Sequence, residues 1–139
     1  MANLVVEIKK TDEKVHFEAI GKSNPSNAIP FDYAPPLGNG QGFAGLEILL
    51  MGFAGCVSTT ILFVLGRLGK HTGTYTASAE GIRRERPLSL EKIHFHIRIK
   101  SEDIEELDME NAIKQAESLS PVWQAMKNNV TVETTFELL

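Results

Sequence analysis

Apolar and polar positions alternate at the start of the chain. Leu4, Val6 and Ile8 alternate with Val5, Glu7 and Lys9, and beyond Thr11-Asp12-Glu13 the residues Val15, Phe17 and Ala19 alternate with His16 and Glu18. A period of two marks half-buried strands, so this segment predicts a hairpin closed by a polar turn. A third short strand is expected around Ala28 to Asp32. The run Pro35-Pro36-Leu37-Gly38-Asn39-Gly40-Gln41-Gly42 then carries loop chemistry throughout.

From Ala44 to Leu68 the pattern changes. Apolar residues fall on every side of a helical projection, charges are nearly absent and no proline intervenes. A helix of about 25 residues is about 37 Å long. Two strands are expected next. In Thr72 to Arg83, Tyr75, Ala77 and Ala79 share a face; in Lys92 to Lys100, Phe95, Ile97 and Ile99 oppose His94, His96, Arg98 and Lys100. The acidic stretch Glu102 to Glu110 leads into a helix carrying Ala112, Ile113, Ala116 and Leu119, since acids suit the positive end of a helix dipole. Ser120-Pro121 reads as a cap and a first-turn proline opening a short helix through Lys127. Val130, Val132, Phe136 and Leu138 then alternate with polar residues as a closing strand. The order βββ-α-ββ-αα-β, with no internal repeat, predicts one α+β domain over residues 1–139 built on antiparallel sheet.

The central helix has the length of a membrane span. Glu47 near one end, and Ser58, Thr59 and Thr60 in the middle, argue instead for a helix buried within protein. A domain of 139 residues is small for wrapping such a helix alone, and Gly52, Ala54 and Gly55 permit close approach of another backbone. A second copy of the chain is therefore expected to cover part of it.

Charge and cysteine count narrow the chemistry. Fourteen basic against eighteen acidic residues, a formal net charge of −4, give no general case for nucleic-acid binding. The start Met-Ala-Asn-Leu-Val-Val-Glu lacks the basic, then apolar, pattern of a secretory signal, so a cytoplasmic setting is expected. Cys56 is the single cysteine, which removes intrachain disulfides and multi-cysteine zinc sites. Mid-helix and in apolar company, where the thiolate is disfavoured, it reads either as a small apolar filler or as a thiol needing a cation or hydrogen-bond donor from elsewhere. Glu47, nine residues earlier, points to the opposite helix face, so one straight helix cannot unite the two; taken alone, it is an acid in the first turn. Gly40-Gln41-Gly42-Phe43-Ala44-Gly45 has dinucleotide-loop spacing but no parallel strand before it and no acid about twenty residues on. His94 and His96 share their face with Arg98 and Lys100, which reads as a solvated polar face and not as a metal site. Neither a metal nor an organic cofactor is expected.

The run Gly45-Leu46-Glu47-Ile48-Leu49-Leu50-Met51-Gly52-Phe53-Ala54-Gly55-Cys56 resembles the central-helix motif of the OsmC/Ohr family, the osmotically inducible and organic-hydroperoxide-resistance proteins. The loop Asp32 to Gly45, the segment Glu80 to Pro87 and Ser120-Pro121-Val122 fall at matching places, so the resemblance spans nearly the whole chain and is closest to the less characterised OsmC-like branch. It implies an intertwined homodimer in which antiparallel sheets pack around a long buried central helix, with sites at the subunit interface. It also implies a thiol peroxidase acting on organic or hydrogen peroxide in oxidative-stress defence, with Cys56 as the attacking thiol and Glu47 holding an activating arginine. Two positions depart from the family. Ser120 stands where the family has its second cysteine, so an external thiol reductant has to resolve oxidised Cys56. The N-terminal region has no arginine; Lys22 is the cation nearest that place, and Arg83 or Arg84 is a possible substitute. These departures leave a second reading open, a non-catalytic relative binding an apolar small molecule at the dimer interface with Cys56 as lining. No nucleic-acid or membrane partner is expected under either reading.

Overall fold

Six strands and three helices make up the computed structural model, which describes residues 1–139: β1 (Val6–Lys10), β2 (Phe17–Gly21), β3 (Ile29–Phe31), α1 (Gly45–Arg67), β4 (Tyr75–Glu85), β5 (Leu88–Ile99), α2 (Glu106–Leu119), α3 (Pro121–Met126) and β6 (Thr131–Leu138). The chain groups into two compact units, Met1–Ile48 and Leu49–Leu139.

In the first unit β2 pairs antiparallel with both β1 and β3, with Ile8 opposite Ala19 and Phe17 opposite Phe31. The expected hairpin turn is held by Asp12, whose Oδ1 accepts from the backbone N–H of Lys14 at 2.8 Å and of His16 at 3.1 Å. Phe17, Phe31 and Tyr33 stack edge-on at centroid distances of 6.1 and 5.7 Å. The proline- and glycine-rich loop is organised around Asp32, which is 1% exposed. Its carboxylate accepts from the N–H groups of Tyr33 (2.7 Å), Asn39 (3.3 Å) and Gln41 (3.1 Å). Burial opposes ionisation of Asp32, but those three donors outweigh it and hold its pKa below the ordinary carboxylate value. Gly38 is required beside it, because a Cβ there would overlap Asp32 Oδ1 and the Tyr33 carbonyl.

In the second unit the period-two reading of β5 holds. Ile93, Phe95, Ile97 and Ile99 are buried. The opposite face carries Lys92 and His94 on Glu133 (2.8 and 3.1 Å), His96 on Thr135 (2.7 Å) and Arg98 on Glu137 (3.2 Å). β4 runs antiparallel to β5. The expectation of wholly antiparallel sheet is corrected at β6, which pairs parallel to β5, with Ile97 opposite Phe136. Parallel neighbours need a crossover connection, and α2 and α3 supply it. Alternation along a strand marks which face is buried and is blind to strand direction, so the sequence pattern could not separate the two arrangements.

Within this chain α1 is buried on one side only. Phe53, Val57, Ile61, Val64 and Leu65 form one buried stripe. Phe53 meets Phe95 and Trp123 edge-on, each at 5.6 Å, and Tyr75 donates to Ser58 Oγ at 2.8 Å. Elsewhere on the helix Met51 is 48% and Phe63 57% exposed, and a Cβ added to Gly52, Gly55 or Gly66 would meet nothing within 4 Å. By length and composition alone α1 could cross a membrane, with 28% of its most apolar window buried; the buried stripe is what fixes it in the core of the second unit.

Candidate functional site

α2 and α3 meet at one residue. Ser120 closes α2, donating its N–H to the Ala116 carbonyl at 2.8 Å, and opens α3 as its N-cap, its Oγ accepting from the Trp123 N–H at 3.5 Å. Pro121 fits the first turn of α3 because no N–H is needed there. Two helix ends thus fix Ser120, which is fully buried, and aim its hydroxyl at α1. There Ser120 Oγ donates to Cys56 Sγ at 3.1 Å.

Cys56 is partly exposed. Its carbonyl accepts from Thr60 Oγ1 at 3.0 Å, and Phe53, one turn earlier, packs against Trp123 on α3. The Ser120 hydroxyl supplies the polar contact to the Cys56 sulfur. A hydroxyl proton directed at sulfur stabilises developing negative charge there, as it does for any anionic acceptor.

The other sequence-selected residues are placed as follows. Glu47 lies in the first turn of α1, where its Oε1 accepts from the Ala44 N–H at 3.2 Å, one half of a capping arrangement. Lys22 pairs with Glu7 at 3.0 Å on exposed surface. Arg83 and Arg84 are exposed near the tip of the β4–β5 hairpin, opposite Leu90 and Ser89, and form no ion pair. Cys56 and Ser120 are thus brought together within the second unit, while no Arg or Lys nitrogen hydrogen-bonds the sulfur. No three His, Cys, Asp or Glu side chains are arranged to hold a metal ion. Periodicity had marked Ser120 as a helix cap; its contact with a sulfur 64 residues away was visible only through its correspondence with the family's second cysteine.

The family model described as OsmC-like protein matches residues 38–135, a span that includes α1, the sulfur and Ser120. The chain belongs to the OsmC-like family. No curated protein matches its sequence. Among solved structures it is similar to a hypothetical protein from Aquifex aeolicus (TM-score 0.83, 20% identity, 100% of this chain and 98% of that one). It is similar also to an OsmC-like protein from Mycoplasma pneumoniae (0.81, 19%, 99% and 96%). An organic hydroperoxide resistance protein from Elizabethkingia anophelis gives 0.74 at 18% identity, covering 100% and 98%. At these identities the likeness establishes the OsmC-like α+β fold.

Proposed function

We propose that this OsmC-like protein is a one-cysteine, thiol-dependent peroxidase. The observation that carries the reading is the 3.1 Å hydrogen bond from Ser120 to Cys56, a donor at the sulfur where an unassisted apolar site would leave the thiol inert. Cys56 sulfur attacks one oxygen of a hydroperoxide, the O–O bond breaks, and the alcohol or water departs with the proton, leaving Cys56 sulfenic acid. A small external thiol then forms a mixed disulfide with release of water. A second thiol frees Cys56 and leaves as the disulfide of the reductant, so two thiols are oxidised for each peroxide reduced.

Membership in a family that includes hydroperoxide-resistance proteins supports the same reading. The active form in this reading is a homodimer, the second copy covering the α1 face that carries Met51, Gly52, Gly55, Thr59 and Gly66. That face is exposed and built from small and apolar residues. In a dimer, Glu47 positions a cation for Cys56, with Arg83, Arg84 or Lys22 as the source.

The test is sulfenic-acid trapping with dimedone after one equivalent of cumene hydroperoxide, beside peroxide consumption under dithiothreitol. Wild type is expected to form the adduct and turn over, and Cys56→Ser to do neither. Absence of adduct in the wild type would instead favour the second reading, an apolar binding protein with Cys56 as lining, for which the missing cation at the sulfur speaks.

A further inference from the structure

We propose a second binding site, for an amphipathic monocarboxylate, in the groove between α1 and α2 with Arg67 as its anion anchor. The groove encloses about 260 Å³ and is lined by Phe63, Val64, Arg67, Leu68, Gln115 and Leu119. Four of those six are apolar and none is acidic, so the lining offers one cation and one amide at the margin of a hydrophobic trough. Its size is below the range of about 300–1,000 Å³ usual for drug-sized ligands, which suits a single unbranched chain.

Arg67 is set apart from the other cation at this end of α1. Lys70 is engaged by Asp108 at 3.3 Å and by the Asp103 carbonyl at 2.9 Å. Arg67 takes part in none of the chain's ion pairs. Its guanidinium lies over the Phe63 ring, 5.7 Å from the centroid. A stacked guanidinium keeps its in-plane N–H fork free for a carboxylate. Charge complementarity therefore selects an anionic head, and the apolar lining selects an alkyl stem.

The groove has a direction. Cys56, Thr60, Phe63 and Arg67 are spaced i, i+4, i+7 and i+11, which places them on one stripe of α1, about 16 Å from first to last. Leu119, on the other wall, immediately precedes Ser120. Thr60 and Cys56 continue the α1 wall beyond the lining of the groove, so the site is separate from the Cys56–Ser120 pair but shares a stripe with it. The stripe lies between the buried face of α1 and the face bearing Gly52, Gly55 and Gly66, at the rim of the dimer surface proposed above.

Calorimetric titration of the full-length protein with decanoate, decanol and decylamine tests the site without any turnover. Decanoate is expected to bind about tenfold or more tighter than decanol, the worth of one charge-assisted hydrogen bond. Arg67→Gln should bring decanoate down to the level of decanol, while Lys114→Gln, which removes a nearby exposed charge outside the groove, should leave it unchanged. Equal binding of the three probes, equal losses in the two variants, or no binding of any probe would each overturn the assignment. Cys56→Ala should retain decanoate binding, so a failure of the peroxidase reading and a failure of this one are told apart.

Discussion

Replacing Ser120 with cysteine turns the hydroxyl–thiol contact into a covalent test of the site. The Ser120 oxygen lies 3.1 Å from Cys56 Sγ, and a disulfide needs about 2.05 Å, so a sulfur at position 120 has to close by about 1 Å. The bond would link residues 64 apart in sequence, for which loss of chain entropy in the unfolded state gives about 4 kcal/mol. Against this, cysteine gives up the α3 cap, at about 1 kcal/mol. The net gain of about 3 kcal/mol corresponds to a rise of roughly 6–12 °C in melting temperature for a chain of this size. The assay is a pair of thermal melts on Ser120→Cys, one after stoichiometric cumene hydroperoxide and one after dithiothreitol, with intact mass to show the loss of two hydrogens. The oxidised variant should melt higher, and the reduced variant slightly below wild type. Over-oxidation of Cys56 without a crosslink, or equal melting of the two forms, would refute the geometry on which the proposed site rests.

Ser120→Ala removes the donor and the cap together; it should lower stability by about 1 kcal/mol and slow sulfenic-acid formation by about tenfold, read by chemical denaturation and dimedone trapping. An unchanged trapping rate would separate the hydroxyl from the chemistry. At Gly55 an added Cβ meets nothing within 4 Å in the isolated chain, so Gly55→Leu should keep its circular dichroism yet sediment as a monomer. Retention of a dimer would place Gly55 outside the interface. Asp103 accepts from the His71 N–H at 3.0 Å and pairs with its ring at 3.2 Å, and these contacts together with Ser101 lower its pKa to about 2. With a folded pKa below an unfolded value of about 3.9, its contribution is complete above that value and is lost as pH falls toward the folded one. Melting temperature should therefore drop between about pH 4 and pH 2, and Asp103→Asn should flatten that limb; an equally steep limb in the variant would remove Asp103 as its source.

Much of the fold was legible because burial leaves a period in the sequence. Phe95, Ile97 and Ile99 announced the buried face of β5, and Ser120-Pro121 announced the α2–α3 joint. The direction of β6 was not legible, because parallel and antiparallel neighbours use the same alternation and differ only in what connects them. Partial cover of α1 by its own chain was also legible, from the helix length against a 139-residue domain; which residues form the buried stripe was not, because apolar residues fall on every side of the helix. At the site, Cys56 was visible as the lone thiol and Glu47 as an odd acid in an apolar run. The donor at the sulfur was visible only through the place of Ser120 at the family's second cysteine, because a serine that caps a helix and a serine that addresses a thiol have identical local sequence signals.

The parallel β5–β6 pair also sets an order of assembly. A chain leaving the ribosome can close the β4–β5 hairpin once Leu88–Ile99 has emerged, since those partners are near in sequence. The third strand has to wait: His96 pairs with Thr135, 39 residues on, after both crossover helices have been made. Until Thr131–Leu138 is synthesised, one edge of β5 stays open. Ser120 is made 64 residues after Cys56, so during synthesis the thiol passes through a period without the donor it has in the finished protein.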